Sequence, residues 1–158
     1  MTFPLRRQST FPGTLDGAAA AATWLRDIAA DEQLSDKLAF ALEVCLEELA
    51  TNVVRHGGVG RFDEAEAGAG PPLSFGVGLV LEQDAVGLVI EDNGRPFDVS
   101  QAPARPIRKP LEDIVAGGLG MQLIRSFSDE LHYEPTPGGN RVILKFLRQA
   151  EGQSRAEV

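Results

Sequence analysis

Two polar residues, Glu48 and Asn52, lie four positions apart in a segment whose apolar residues have helical spacing. Four residues make about one helical turn, so both side chains project from one side, beside Cys45, Leu49 and Val53. A carboxylate and a carboxamide at the edge of a core can together orient a metal-bound phosphate and a nucleophile, or they can form a partly buried polar pair. The spacing alone leaves both interpretations open.

A second polar group, Glu91-Asp92-Asn93-Gly94, comes where an apolar strand-like run ends. At the floor of a pocket, the Asp92 carboxylate could accept a hydrogen bond from an exocyclic amine, and Gly94 would let a flat ring approach the backbone. Asp-Asn-Gly is also ordinary turn chemistry, and in isolation a plain turn is the favoured interpretation.

A third group, Gly117-Gly118-Leu119-Gly120, precedes an apolar segment of helical spacing. Glycines before a helix leave backbone N–H groups and the positive end of the helix dipole facing a cavity, which favours phosphate. The cluster follows no strand and precedes no Lys-Ser/Thr pair, so it is neither a dinucleotide fingerprint nor a Walker-type loop.

The elements that must position these groups begin with a strand near residues 5–11 and a helix through Ile28, for which Asp16 is the candidate N-cap. The clearest element is a helix from Ser35 to about His56, with apolar residues at 3.6-residue spacing. We expect Gly57 and the glycine after it to end this helix in the left-handed conformation, with His56 as a capping residue.

Farther along the chain, strands alternate with one short helix and two loops. The predicted elements are a loop over 60–72, a strand hairpin over 73–81 and 86–91, a flexible lid over 97–117, a helix over 119–127 and strands near 131–134 and 141–147. This order lacks regular strand-helix alternation, so it predicts an α+β sandwich with one mainly antiparallel sheet and helices over one face.

Composition excludes several classes of protein. The 158 residues suit one domain, and 15 basic against 23 acidic residues give a net charge of −8, which repels phosphate backbones and disfavours direct nucleic-acid binding. The single cysteine excludes a disulfide scaffold and points to a cytoplasmic setting. Since the longest apolar run is far too short to span a bilayer, we expect no membrane association.

The order of the three groups is specific, and it resembles that of the GHKL ATPase superfamily, most closely the RsbW/SpoIIAB-like anti-sigma-factor serine kinases. "EELATNVVRHG" looks like the N box, "VIEDNGRPFD" like the first glycine box and "GGLGMQLIRSFSDEL" like the second. The resemblance covers residues 5–148 and implies a Bergerat-type sandwich, with an ATP-binding kinase domain over residues 1–150 and a polar, disordered tail over 151–158.

Transferred to this sequence, the family's motifs imply a role for each matching residue. Glu48 would be the catalytic base, Asn52 the Mg²⁺ ligand and Asp92 the ligand of the adenine amine, with Gly94 lining the adenine pocket. The resemblance further implies phosphate contacts for this set: Gly118, Leu119, Gly120 and a lid cation, namely Arg105, Arg108 or Lys109.

The implied function is an ATP-dependent protein serine/threonine kinase that phosphorylates a STAS-type anti-sigma-factor antagonist, binds a sigma factor and regulates transcription by partner switching. The alternative is a non-catalytic ATP-binding anti-sigma or adaptor module. A homodimer is implied by the resemblance only. One motif departs from the family: Gly139-Asn140-Arg141 lacks the usual glycine-threonine pair, which removes the basis for expecting a polar contact near the adenine there.

Overall fold

The computed structural model describes residues 4–57, 71–101 and 120–148. In these ranges the strands form one five-stranded sheet in the order β1-β2-β3-β5-β4, and every neighbouring pair is antiparallel. The strands are β1 (Leu5–Pro12), β2 (Ser74–Leu81), β3 (Ala85–Asp92), β4 (Glu130–Thr136) and β5 (Gly139–Leu147). The helices are α1 (Leu15–Asp31), α2 (Asp36–His56) and α3 (Gly120–Phe127), and a 3₁₀ turn covers Val99–Gln101.

Helix α1 begins one turn after β1 ends, and its cap is not the residue that the sequence suggested. Thr14 is the N-cap, and its hydroxyl accepts a hydrogen bond from the Gly17 amide at 3.0 Å. Asp16 lies instead in the first turn, where a negative charge favours the helix dipole. The prediction of Asp16 as cap was therefore wrong, because a threonine two residues earlier satisfies the orphan amide.

Helix α2 follows the predicted bounds closely. Ser35 caps it by accepting from the Leu38 amide at 3.2 Å, and the predicted apolar stripe is buried from Leu42 to Val53. Gly57 is the residue at which the helix ends, as predicted, but the left-handed conformation expected of it was wrong, because its φ of −65° and ψ of −31° are right-handed. The glycine after it lies outside the described residues. Close packing favours a glycine at position 57, since a Cβ on Gly57 would lie 2.6 Å from Val53 O and 3.0 Å from the Leu73 side chain.

The core lies between the sheet and the helices, because alternate strand residues point to the helical side. In β2, for example, Phe75, Val77, Leu79 and Leu81 are buried while the residues between them are half-exposed. The opposing helical residues are apolar and fully buried: Ala21 and Leu25 of α1, Leu42 and Leu46 of α2, Met121 and Ile124 of α3. The predicted α+β sandwich is confirmed.

The other predicted elements agree with the structure to within a few residues. The β2–β3 hairpin, α3, β4 and β5 are all present. Most of the 60–72 loop, the lid beyond Gln101 and the tail lie outside the described residues. No helix within the described ranges combines the length and apolar character needed to cross a bilayer.

Candidate functional site

Helix α2 presents Glu48 and Asn52 on one side, at the margin of the core. Asn52 is 8% exposed, one of two buried polar side chains in the described part of the chain, whereas Glu48 is half-buried. Burial of an amide is costly unless its polar atoms are satisfied, so a buried Asn beside a cavity suits a structural or a ligand-binding role. The predicted shared orientation of the two side chains fits the helical register.

Glu48 has the electrostatic properties of a proton acceptor. Burial raises the pKa of its carboxyl above the ordinary glutamate range; the charge of Glu47 raises it further, and that of Arg55 opposes both. Helix α3 starts directly against this carboxylate: a Cβ on Gly120 would overlap Glu48 Oε2 and lie 3.2 Å from Cδ. The first residue of α3 therefore lies against a partly desolvated carboxylate, and a side chain larger than glycine would not fit there.

The end of β3 forms the second part of the site. Asp92 Oδ1 accepts a hydrogen bond from the Gly94 amide at 2.8 Å, so the turn interpretation is correct as far as local structure goes. The turn is also pressed against the end of α2, because a Cβ on Gly94 would lie 2.6 Å from Gly57 Cα. Arg95 closes this contact: its amide donates to Gly57 O at 2.9 Å and its Nε to His56 O at 3.1 Å.

Asn140, at the start of β5, is the site residue that sequence reasoning missed. It is 4% exposed and is the cross-strand partner of Asp92. Its Nδ2 donates to Asp92 Oδ1 at 3.0 Å. The position that lacks the usual glycine-threonine pair thus carries an asparagine that is hydrogen-bonded to Asp92. The signal was the motif's position next to the Pro-Gly-Gly turn, where a polar residue follows a glycine.

Several of these residues line one small cleft, whose internal cavity volume is about 20 Å³. It lies between α2 and the ends of β3 and β5, and its lining includes Asn52, Asp92 and Asn140. The lining residues are Leu49, Asn52, Val53, His56, Gly57, Ile90, Asp92, Arg95, Phe97, Val99, Asn140 and Val142. A mostly apolar cleft with a few convergent polar groups is typical of a small-molecule site.

His56 is the last residue of α2, as expected of a residue at the helix C-terminus, and its side chain also makes an aromatic contact. Its ring stacks on Phe97, with centroids 4.6 Å apart and planes 12° from parallel. Burial and the charges of Arg55 and Arg95 lower its pKa. Because the stack fills one wall of the cavity, the neutral imidazole behaves here as an aromatic surface.

The structure thus brings Asn52 and Asp92 to one cavity, with Gly94 in the turn that forms its edge. Glu48 lies one helical turn from Asn52, against Gly120. The remaining predicted contacts, which are Gly118, Leu119, Arg105, Arg108 and Lys109, lie outside the described residues. No group of three His, Cys, Asp or Glu side chains within the described ranges could hold a metal ion.

Comparison with known proteins decides the family. The model of the histidine kinase-like ATPase domain matches residues 11–146. The chain belongs to this family. It is 32% identical to the serine/threonine-protein kinase BtrW of Bordetella bronchiseptica over 131 residues, covering 83% of this chain and 86% of BtrW. It is 28% identical to the serine-protein kinase RsbW of Halalkalibacterium halodurans, covering 73% of this chain and 67% of RsbW.

A solved structure supports the fold of this histidine kinase-like ATPase domain. The RsbU and RsbW domains of a Mycobacterium tuberculosis protein superpose with a TM-score of 0.59 at 14% identity, covering 92% of this chain and 33% of the longer one. At that identity the likeness concerns the fold alone. The predicted RsbW-like kinase family and its sandwich fold are confirmed.

Proposed function

We propose that this protein is an ATP-dependent serine/threonine kinase that phosphorylates a STAS-type anti-sigma-factor antagonist and regulates transcription by partner switching. The observation that carries the proposal is the meeting of Asn52 and Asp92 at one cavity, with the Glu48 carboxylate a helical turn away beside Gly120. Kinases named BtrW and RsbW are relatives over most of this chain. We assign residues 1–150 to this kinase domain and expect it in the cytoplasm.

ATP would lie with its base toward β3 and its phosphates toward α3. The Asp92 carboxylate is an acceptor suited to the exocyclic amine of adenine, and the turn at Gly94, packed on Gly57, would border the adenine pocket. Gly118, Leu119 and Gly120 would supply amides to the phosphates, and Gly120 is the first residue of α3. Arg105, on the predicted lid, would add a positive charge near the terminal phosphate.

Asn52 is the residue that would hold Mg²⁺. Its carboxamide oxygen is a hard ligand of the kind this ion accepts, and the side chain lines the cavity. One side-chain oxygen fits Mg²⁺ because this ion usually takes only one or two protein ligands and completes its octahedron with phosphate and water. Bound there, the ion would neutralise charge on the phosphates during transfer.

The chemistry required of the protein is then positioning and proton acceptance. The hydroxyl oxygen of the substrate serine or threonine bonds to the γ-phosphorus, the bond to the β,γ-bridging oxygen breaks, and ADP leaves. The hydroxyl proton passes to Glu48, whose raised pKa suits a base that must take a proton from an alcohol. A sigma factor and a second copy of this chain are further proposed partners.

The test is phosphate transfer from Mg-ATP to STAS-domain proteins of the same genome, with phosphoserine and phosphothreonine as the readout. Glu48→Gln should abolish transfer and keep ATP binding, whereas Asn52→Ala should lose the Mg²⁺ dependence of ATP affinity. Glu47→Gln is the matched control, because Glu47 is the preceding residue of α2 and is exposed.

Two results would contradict this proposal. Absence of Mg-ATP binding in calorimetry removes the nucleotide site altogether. ATP-dependent partner binding without transfer, unchanged in Glu48→Gln, supports the non-catalytic adaptor module instead.

A further inference from the structure

Asn140 occupies a position from which it can control Asp92. The two residues are cross-strand partners at the ends of β3 and β5, although 48 residues separate them in sequence. The residue before it packs on the same strand end: a Cβ on Gly139 would overlap Asp92 O and lie 2.9 Å from Asn93 Cα. The start of β5 is therefore packed tightly against Asp92, the residue predicted to bind the adenine amine.

All of the hydrogen-bonding capacity of the Asn140 amide is used. Nδ2 donates to Asp92 Oδ1 at 3.0 Å and to Arg95 O at 2.8 Å. Oδ1 accepts from the Phe97 amide at 2.9 Å and from the Tyr133 hydroxyl at 2.6 Å. An asparagine amide has two donor hydrogens and two acceptor lone pairs, so no capacity is left over.

The orientation of this amide is dictated by its partners. The Phe97 backbone N–H can only donate and the Arg95 carbonyl can only accept, so the amide oxygen must face Phe97 and the NH₂ group must face Arg95 and Asp92. Asp92 Oδ1 in turn receives two N–H groups, from Asn140 and from Gly94. Two donors on one oxygen fix the plane in which the carboxylate lies.

We propose that Asn140 is a positioning residue for base recognition: it fixes the Asp92 carboxylate and the 93–97 turn in the geometry that accepts the exocyclic amine of adenine. The inference rests on the proposed ATP site and adds the residue that gives the site its selectivity for the amine. A buried network with every polar group satisfied is rigid, and selectivity of this kind requires a preorganised acceptor.

The test compares two nucleotides, ATP and purine riboside 5′-triphosphate, which lacks the 6-amino group. The measured quantity is the ratio of their dissociation constants with Mg²⁺ present. In the unmodified protein the analogue should bind at least about tenfold more weakly, the factor expected for one hydrogen bond to a charged group. In Asn140→Ala, the binding of ATP should weaken by a similar factor while the dissociation constant of the analogue changes little, so the ratio approaches one.

Asn140→Asp is the second variant, for use if the alanine variant does not fold. A carboxylate there still accepts from Phe97 and Tyr133 but cannot donate to Asp92 at pH 8, so the ratio should again approach one. Arg141→Ala is the matched control. Arg141 follows Asn140 in β5 and pairs with Glu91 and Glu134 at 2.7 and 2.6 Å, so its loss should leave the ratio unchanged.

The outcomes separate this inference from the function on which it rests. If the unmodified protein binds no Mg-ATP, the proposed function fails. If it binds ATP selectively and both Asn140 variants keep the ratio, or weaken both nucleotides equally, the positioning role is overturned and the ATP site stands. A ratio that falls to about one in the Asn140 variants and is kept in Arg141→Ala supports the role.

Discussion

The ionised form of Glu48 is the one that the proposed chemistry requires, and it is also the form that destabilises the fold. Burial raises its pKa above the ordinary glutamate value, so the folded state holds the proton more tightly than the unfolded chain does. Below the pKa that Glu48 has in the unfolded chain, the carboxyl is protonated in both states and does not change the free energy of unfolding. As the pH rises through the folded pKa, the ionised carboxylate becomes a cost to the folded state.

Replacing Glu48 by glutamine should therefore abolish transfer without lowering thermal stability. At pH 8 the Tm of Glu48→Gln should equal or exceed that of the unmodified protein, and the difference should shrink toward pH 4. Calorimetric melts across this range measure it, with Glu47→Gln as the control. A lower Tm in Glu48→Gln at pH 8 would mean that the carboxylate stabilises the fold.

The same pKa predicts the acid limb of the transfer reaction. A general base acts when deprotonated, so the rate should fall as the pH is lowered through the pKa of Glu48, at a higher pH than for an ordinary carboxylate. Single-turnover transfer measured from acid pH to pH 8 would show it. A rate that does not fall toward acid pH, or falls only where an ordinary glutamate is protonated, would contradict the assignment of Glu48 as base.

At the scale of elements, the site depends on how the β3 turn docks on the end of α2. Three contacts hold it: the close approach of Gly94 to Gly57, and the two hydrogen bonds from Arg95 to the last carbonyls of the helix. The helix end carries partial negative charge, which the guanidinium of Arg95 complements. The helix that bears Asn52 is in this way tied to the strand that bears Asp92.

Gly94→Ala should disrupt this docking. Its Cβ would lie 2.6 Å from Gly57 Cα and 2.9 Å from Gly57 O, both backbone atoms, so the turn has to move. We expect the free energy of unfolding to fall by about 1–3 kcal/mol, with weaker ATP binding. Urea unfolding and calorimetry measure the two effects.

Gly78→Ala is the matched control for this substitution. A Cβ on Gly78 would lie 3.7 Å from Val89 Cβ, which is ordinary contact. Since glycine weakens a strand relative to alanine, this variant should gain up to about 0.5–1 kcal/mol. Equal losses in the two variants would show that the Gly57 contact does not explain the effect at Gly94.

At the scale of the whole molecule, the core between sheet and helices contains a natural reporter of unfolding. Cys45 is the only cysteine of the chain and is fully buried in α2. Burial, with a smaller effect of Glu48, raises the pKa of its thiol to about 12. The thiolate that reacts with alkylating reagents is therefore scarce in the folded state.

The folded protein should resist iodoacetamide, and labelling in urea should follow the unfolded fraction measured by circular dichroism. Mg-ATP should slow labelling at intermediate urea, because a ligand that binds only the folded state shifts the equilibrium toward it. Labelling fully denatured protein provides the control. Fast modification in native buffer would show that α2 opens locally, contrary to the packing seen here.

Much of this arrangement could be predicted from local pattern. The stripe through Leu42, Leu46 and Leu49 determined a helix whose bounds agree with α2, since a 3.6-residue repeat leaves few alternatives. The alternation in β2 likewise determined its buried face. The motif order around Glu48, Asn52 and Asp92 was sufficient to predict the family and the α+β sandwich.

The tertiary structure decided what depends on strands and helix ends meeting. Asn140 reaches Asp92 only because β3 and β5 pair in one particular register, and Gly94 must be a glycine because a Cβ there would lie 2.6 Å from Gly57 Cα. Neither contact has a periodic trace in the sequence, because each joins residues tens of positions apart. Sequence by itself determined the elements and the polar residues they carry, whereas the packing of those elements determined which of them share a hydrogen-bond network.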